Sequence, residues 1–291
     1  MTMSKIAIKT LLGRETISSQ NLAMILYGLR SNKFKEKESK EMLSCLARIV
    51  EKCSESLDTQ AVGNALYGLQ GMSSDVPDVR LLVRALSGQV ARCTEPLDAQ
   101  AVGNALYGLQ GMSSDDADVR LLVRALSGQV ARCTEALSGQ EVGNALYGLQ
   151  GMSSADADVR LLVRALSGQV ARCTEPLDAQ ALGNALYGLQ GMSSDDADVR
   201  LLVRALSGQV ARCTEPLDAQ ALGNALYGLQ GMLSTVDGQD LGLHLLRLFM
   251  KLHAVAAVVD YTPEYISCGR SVGVTLPFLR DHLTEGEVKE C

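Results

Sequence analysis

Tryptophan is absent and phenylalanine occurs only three times in this chain of 291 residues, so large aromatic anchors cannot carry its core. Leucine, valine and alanine must fill it instead, which suits closely stacked helices. No Cys-x-x-Cys pair occurs among the eight cysteines, and the three histidines (His244, His253, His282) are confined to the C-terminal segment. Neither they nor the neighbouring Cys268 and Asp281 show zinc-ligand spacing, so no metal and no cofactor is expected. A Gly-x-x-x-x-Gly-Lys-[Ser/Thr] phosphate loop is missing, and the Leu86-Ser87-Gly88-Gln89 string is only superficially like an ATPase signature. Nothing brings together a nucleophile, a base and an orienting group. The reading is therefore a non-enzyme with no catalytic residue and no small-molecule substrate. The most apolar stretch, 241–259, is interrupted by His244, Arg247, Lys251 and His253, which makes it a core helix rather than a membrane span. The start of the chain, with Lys5 and Lys9 and no long apolar run, does not read as a secretory signal.

What the chain does have is repetition. Gly-Asn-Ala-Leu-Tyr-Gly-Leu-Gln-Gly-Met begins at Gly63, Gly103, Gly143, Gly183 and Gly223, with a spacing of 40 residues each time. A fifteen-residue string, Leu-Leu-Val-Arg-Ala-Leu-Ser-Gly-Gln-Val-Ala-Arg-Cys-Thr-Glu, falls between them from Leu81, Leu121, Leu161 and Leu201. A fixed period of this length marks an array in which each unit buries its apolar face against its neighbours. The predicted fold is all-α, an α-solenoid of about six antiparallel helix pairs with a 40-residue repeat. Residues 1–56 are assigned to a divergent N-terminal capping repeat and 57–231 to the array. A capping helix over 232–258 and an irregular tail over 259–291 complete the chain.

Each unit reads as helix A, from an Asp98 N-cap to about Gly111, and helix B, from a Ser113/Asp116 capping box to about Thr134. Asp58, Asp178 and Asp218 repeat the cap of helix A. Val102, Ala105, Leu106, Leu109 and Met112 gather on one side of A, and Val119, Leu122, Val123, Leu126, Val130 and Cys133 on one side of B. Arg120, Arg124 and Ser127 turn outward. Asp116 with Arg120 and Asp196 with Arg200 are i,i+4 pairs within one helix, whereas Arg124 and Arg132 have no obvious partner. Gly103, Gly108 and Gly128 lie inside helices, where glycine costs roughly 1 kcal/mol relative to alanine, and imply close approach by another helix or by a ligand backbone. Cys93, Cys133, Cys173 and Cys213, with Cys53 aligned, fall one unit apart rather than in pairs. Free thiols in an intracellular, reducing compartment are expected.

Stacked copies turn the polar side of helix A into rows. Gln60, Gln100, Gln140, Gln180 and Gln220 form one, Asn64, Asn104, Asn144, Asn184 and Asn224 a second, and Tyr27, Tyr67, Tyr107, Tyr147, Tyr187 and Tyr227 a third. Amides that donate and accept, beside an aromatic plane at one-unit spacing, suit an extended polymer. The tyrosines can serve either as a stacking platform or as packing between units. Two ligands fit the amides: single-stranded RNA, or an extended peptide or partner helix held by a protein-interaction scaffold. Charge is uneven, with 10 Lys+Arg against 7 Asp+Glu in 1–60, 12 against 18 in 61–220, and 5 against 8 in 221–291. The acidic array lacks the positive field that accompanies nucleic-acid binding.

The block Leu177-Asp178-Ala179-Gln180-Ala181-Leu182-Gly183-Asn184-Ala185-Leu186-Tyr187-Gly188-Leu189 resembles the first helix of octotricopeptide repeats, with Gln, Asn, Leu and aromatic-small-Leu in register. It is also similar to repeats of organellar RAP-domain proteins and of the kinetoplastid RNA-editing substrate-binding complex. The resemblance covers residues 17–258. It implies an α-solenoid that binds single-stranded RNA, roughly one nucleotide per repeat, in organellar RNA processing or translation. By position, the Asn64 row matches the family's asparagine and the Tyr67 row its tryptophan. The prolines that open the family's second helix are replaced here by Ser-Ser-Asp-Asp-Ala.

Overall fold

The computed structural model describes residues 17–31, 37–230 and 232. The N-terminal segment before Ile17, the capping helix assigned to 232–258 (Met232 apart), the tail 259–291 and the three histidines lie outside the described residues. Within them are eleven α-helices and no strand. The A helices are α1 (Ser19–Gly28), α3 (Thr59–Tyr67), α5 (Ala99–Tyr107), α7 (Gly139–Tyr147), α9 (Ala179–Tyr187) and α11 (Ala219–Leu229). The B helices are α2 (Lys37–Lys52), α4 (Pro77–Arg92), α6 (Ala117–Arg132), α8 (Ala157–Arg172) and α10 (Ala197–Arg212). Each A helix packs on the A helices before and after it, and each B helix on its B neighbours. The result is a two-layered α-solenoid, with the apolar core between the layers.

Local sequence explains each boundary. Asp98 sits in extended conformation before α5 and its carboxylate accepts the Ala101 N–H at 2.7 Å, with Asp58, Asp178 and Asp218 capping in the same way. In the third full copy Ser138 replaces the aspartate, and a capping box with Glu141 takes over the role. The α-helical part of α3, α5, α7 and α9 stops at the tyrosine, short of the expected Gly111 and its equivalents, whereas α1 runs on to Gly28 and α11 to Leu229. Leu109 N–H then bonds Leu106 carbonyl, and Met112 N–H bonds Leu109 carbonyl, so the chain tightens into i→i−3 turns. The B helices end at Arg132 and its equivalents, two residues short of the expected Thr134.

The expected capping box of helix B is corrected. Asp116 itself is the N-cap, accepting the Asp118 and Val119 N–H groups, while Ser113 sits further out in the turn. Every residue assigned inward on A and B is buried. Ser127, assigned outward, is also buried, because its hydroxyl folds back to donate to the Arg124 carbonyl.

Polar ladders join the repeats. Gln129, 3% exposed, donates from Nε2 to the carbonyls of Val90 and Cys93, filling the open C-terminus of the preceding B helix, and Gln89, Gln169 and Gln209 do the same one unit along. Arg132, expected to lack a partner, donates to the Cys93 and Thr94 carbonyls and to Gln129 Oε1. Arg124, expected likewise, makes a two-pronged pair with Asp158 of the next repeat, Nε–Oδ1 2.7 Å and Nη2–Oδ2 3.1 Å. Arg84 makes the same two-pronged pair with Asp118, and Arg164 Nε donates to Asp198 Oδ1 at 2.7 Å. Hydrogen bonding to the carboxylate, then its charge, holds these three guanidinium pKa values above their ordinary range. The i,i+4 pairing is also corrected. Arg120 lies 3.4 Å from Asp156 and Arg160 3.4 Å from Asp196, so each arginine reaches the cap of the following B helix rather than its own. The register between helices, not the spacing along one, decides which carboxylate is nearest.

Cys53, Cys93, Cys133, Cys173 and Cys213 are buried and not disulfide-bonded. Burial pushes the Cys93, Cys133 and Cys173 thiols upward, against the hydrogen bonds they make to the Glu95, Glu135 and Glu175 carbonyls. None of the described helices is long and apolar enough to cross a membrane.

Candidate binding face

The polar side of the A layer starts with glycine. A Cβ on Gly143 would lie 2.8 Å from the Ala181 Cα, and one on Gly108 would overlap the Leu66 carbonyl of the preceding A helix. Close approach of helix on helix, rather than of a ligand, therefore accounts for Gly103 and Gly108. Gly128 differs: nothing lies within 4 Å of a Cβ built there, so the expectation of close approach is overturned within the chain.

Because the A backbones come so close, the tyrosines meet. Tyr27, Tyr67, Tyr107, Tyr147, Tyr187 and Tyr227 form one continuous stack, with ring centroids 5.6–5.8 Å apart and planes inclined by 20–25°. Both faces of each interior ring are covered by neighbouring rings, leaving no slot for an inserted base. Partial burial, then the adjacent Tyr67 and Tyr147, raises the pKa of Tyr107. At the N-terminal end the Arg30 guanidinium lies 3.8 Å from the Tyr27 ring centroid and closes the stack by a cation–π contact. At the other end Tyr227 is 40% exposed.

Beside this stack run the two amide rows. Gln60, Gln100, Gln140, Gln180 and Gln220 are exposed, and Asn64, Asn104, Asn144, Asn184 and Asn224 are half-buried. Among the described residues none of these asparagine side chains makes a hydrogen bond with protein atoms. The rows, the tyrosine edges and the helix turns that carry them are thus brought together on one face. Helices α3, α5, α7, α9 and α11 contain no lysine or arginine, while Asp58, Asp98, Asp178 and Asp218 line their N-terminal rim. The array's arginines all sit on the B helices.

Comparison with known proteins finds no matching family model and no matching curated protein.

Three members of this face escaped the sequence reading. Gln20 and Met24 hold the glutamine and asparagine positions of the first repeat, and Met24 is 61% exposed, so the asparagine row starts at Asn64 with an apolar side chain ahead of it. Arg30 stands where later repeats have Gln70 and Gln110. Counting back by one period from Gln60, Asn64 and Gln70 finds all three. The described residues contain no group of three or more His, Cys, Asp or Glu placed to share a metal ion.

Proposed function

We propose that this chain is a non-catalytic scaffold that holds an extended, positively charged peptide along the Gln–Asn–Tyr face. The observation that carries this reading is the row of half-exposed, unbonded asparagine amides at identical positions on five helices that lack any basic residue. A carboxamide donates and accepts at once, which matches the N–H and C=O of one peptide residue. Lysine or arginine side chains on such a peptide would face the aspartate rim.

A second reading, single-stranded RNA, is supported by the octotricopeptide-like register of the same asparagines. It asks phosphates to lie along a face without cations, against the usual electrostatics of nucleic-acid binding. One experiment separates the two. Fluorescent basic, neutral and acidic extended peptides and A, C, G and U oligomers are titrated at low salt into the protein and into a variant with Asn64, Asn104, Asn144, Asn184 and Asn224 changed to Ala. Binding of the basic peptide that disappears in a normally folded variant supports the peptide reading. Binding of oligomers alone replaces it with the RNA reading, and binding of neither class removes both.

A further inference from the structure

The tyrosine column carries chemistry that its packing role does not use. Six phenols stand face to face with centroids 5.6–5.8 Å apart, within the offset-stacked range. Phenylalanine would stack as well and would ask for no polar partner, yet Phe34, Phe249 and Phe278 all stand elsewhere. With no tryptophan in the chain, tyrosines are its most readily oxidised rings, and six of the eight belong to the column. The interior rings are half-buried, so an oxidant in solution reaches their edges while their faces meet neighbouring rings. Cys93, Cys133, Cys173 and Cys213 are buried and shielded from the same oxidant.

We propose that the column is a site of oxidative modification, where tyrosines of adjacent repeats are joined ring to ring and the A layer is stapled covalently. The co-reactant is a one-electron oxidant, of the class a haem peroxidase makes from hydrogen peroxide. It takes one electron from each of two neighbouring phenols, and each phenol gives its hydroxyl proton to water. A carbon–carbon bond then forms between ring positions ortho to the two oxygens. The hydrogens on those carbons move to the oxygens, which restores both aromatic rings. The two electrons and two protons released convert one hydrogen peroxide to two waters. Rings held side by side have an effective concentration of about 1 mM or more, roughly a thousand times that of other molecules at about 1 µM protein, so coupling stays within one chain. The two ends differ. The Arg30 guanidinium, 3.8 Å from the Tyr27 ring centroid, opposes loss of an electron there. Tyr227, 40% exposed, meets the oxidant most readily. Coupling therefore starts at Tyr187–Tyr227 and is weakest at Tyr27–Tyr67.

The full chain, folded or in urea, is treated with a haem peroxidase and limiting hydrogen peroxide at the same protein concentration, digested with trypsin and analysed by mass spectrometry. Cleavage after arginine places each of the six column tyrosines on a peptide of different sequence, so every adduct can be assigned. The folded protein is expected to give neighbour-to-neighbour adducts led by Tyr187–Tyr227, in roughly a thousandfold excess over interchain adducts, and to melt at higher temperature afterwards. In Y187F, which keeps the stack but removes one phenol, the lead should pass to Tyr107–Tyr147. Adducts mainly between non-neighbouring tyrosines or between molecules overturn the proposal, as does an unchanged adduct pattern in urea. So does the absence of adducts under conditions that couple free tyrosine.

Discussion

The Cα of Ala181 occupies the place a side chain on Gly143 would need, 2.8 Å from an idealised Cβ. This one contact ties the glycine of an A helix to the backbone of the next, and through that closeness to the tyrosine stack. Gly168, on a B helix, meets nothing within 4 Å. Two glycines inside helices of one repeat thus have opposite meanings.

Gly143→Ala should therefore destabilise the array by about 1–3 kcal/mol, the usual cost of overpacking, since the Ala181 backbone cannot step aside. Gly168→Ala should stabilise it by up to about 1 kcal/mol through helix propensity alone. Urea denaturation of the two variants at low protein concentration checks the signs, and equal signs would contradict the packing described.

Gln169→Leu keeps the side chain's bulk and removes its amide. Its Nε2 donates at 2.7 Å to the Val130 carbonyl in a buried setting, and Arg172 loses the Gln169 Oε1 acceptor as well. An unpaired buried carbonyl costs about 1–3 kcal/mol, and a loss in that range is expected in urea melts. The Cys133 carbonyl keeps Arg172 as a donor, which holds the loss below that of two broken bonds.

Alkaline pH should loosen the fold in two stages. The thiols of Cys93, Cys133 and Cys173 have folded pKa values raised above 9.0, and Tyr107 is raised above 10.0. A raised acid means that the unfolded chain releases its proton first, so stability is complete below the unfolded pKa and falls as pH climbs toward the folded one. Melting temperature is expected to hold to about pH 8, then drop as the thiols titrate, and drop again above about pH 10. Replacing the three cysteines with alanine should remove the first drop and leave the second.

Tyr147→Ala breaks the stack in the middle. It deletes two ring–ring contacts, each worth about 0.5–1.5 kcal/mol, so a loss of about 1–3 kcal/mol is expected from thermal melts. Near-ultraviolet circular dichroism should fall by more than one ring's share, because Tyr107 and Tyr187 each lose a stacked neighbour at 5.7–5.8 Å.

Much of the architecture was legible in the residues. The 40-residue period, the Asp98-type caps and the apolar stripes each follow from local chemistry, and the buried positions fell where the helical spacing put them. The amide rows were legible for the same reason, because 100° per residue sorts Gln100, Asn104 and Tyr107 onto one side of any helix. Arg124 and Arg120 were not. Their partners, Asp158 and Asp156, lie 34 and 36 positions away, and only the offset between neighbouring helices brings them together. Gly103 and Gly128 looked alike for a related reason: a glycine in sequence does not reveal what stands opposite it.

The sequence by itself determined the repeat, the two helices of each unit and the face each presents, because propensity, capping and periodicity act within a few residues. Tertiary structure alone decided that A stacks on A and B on B, that six tyrosines close into one column, and that one set of glycines is filled and another left open. Those outcomes depend on the distance and offset between helices, which are set by how whole surfaces interlock.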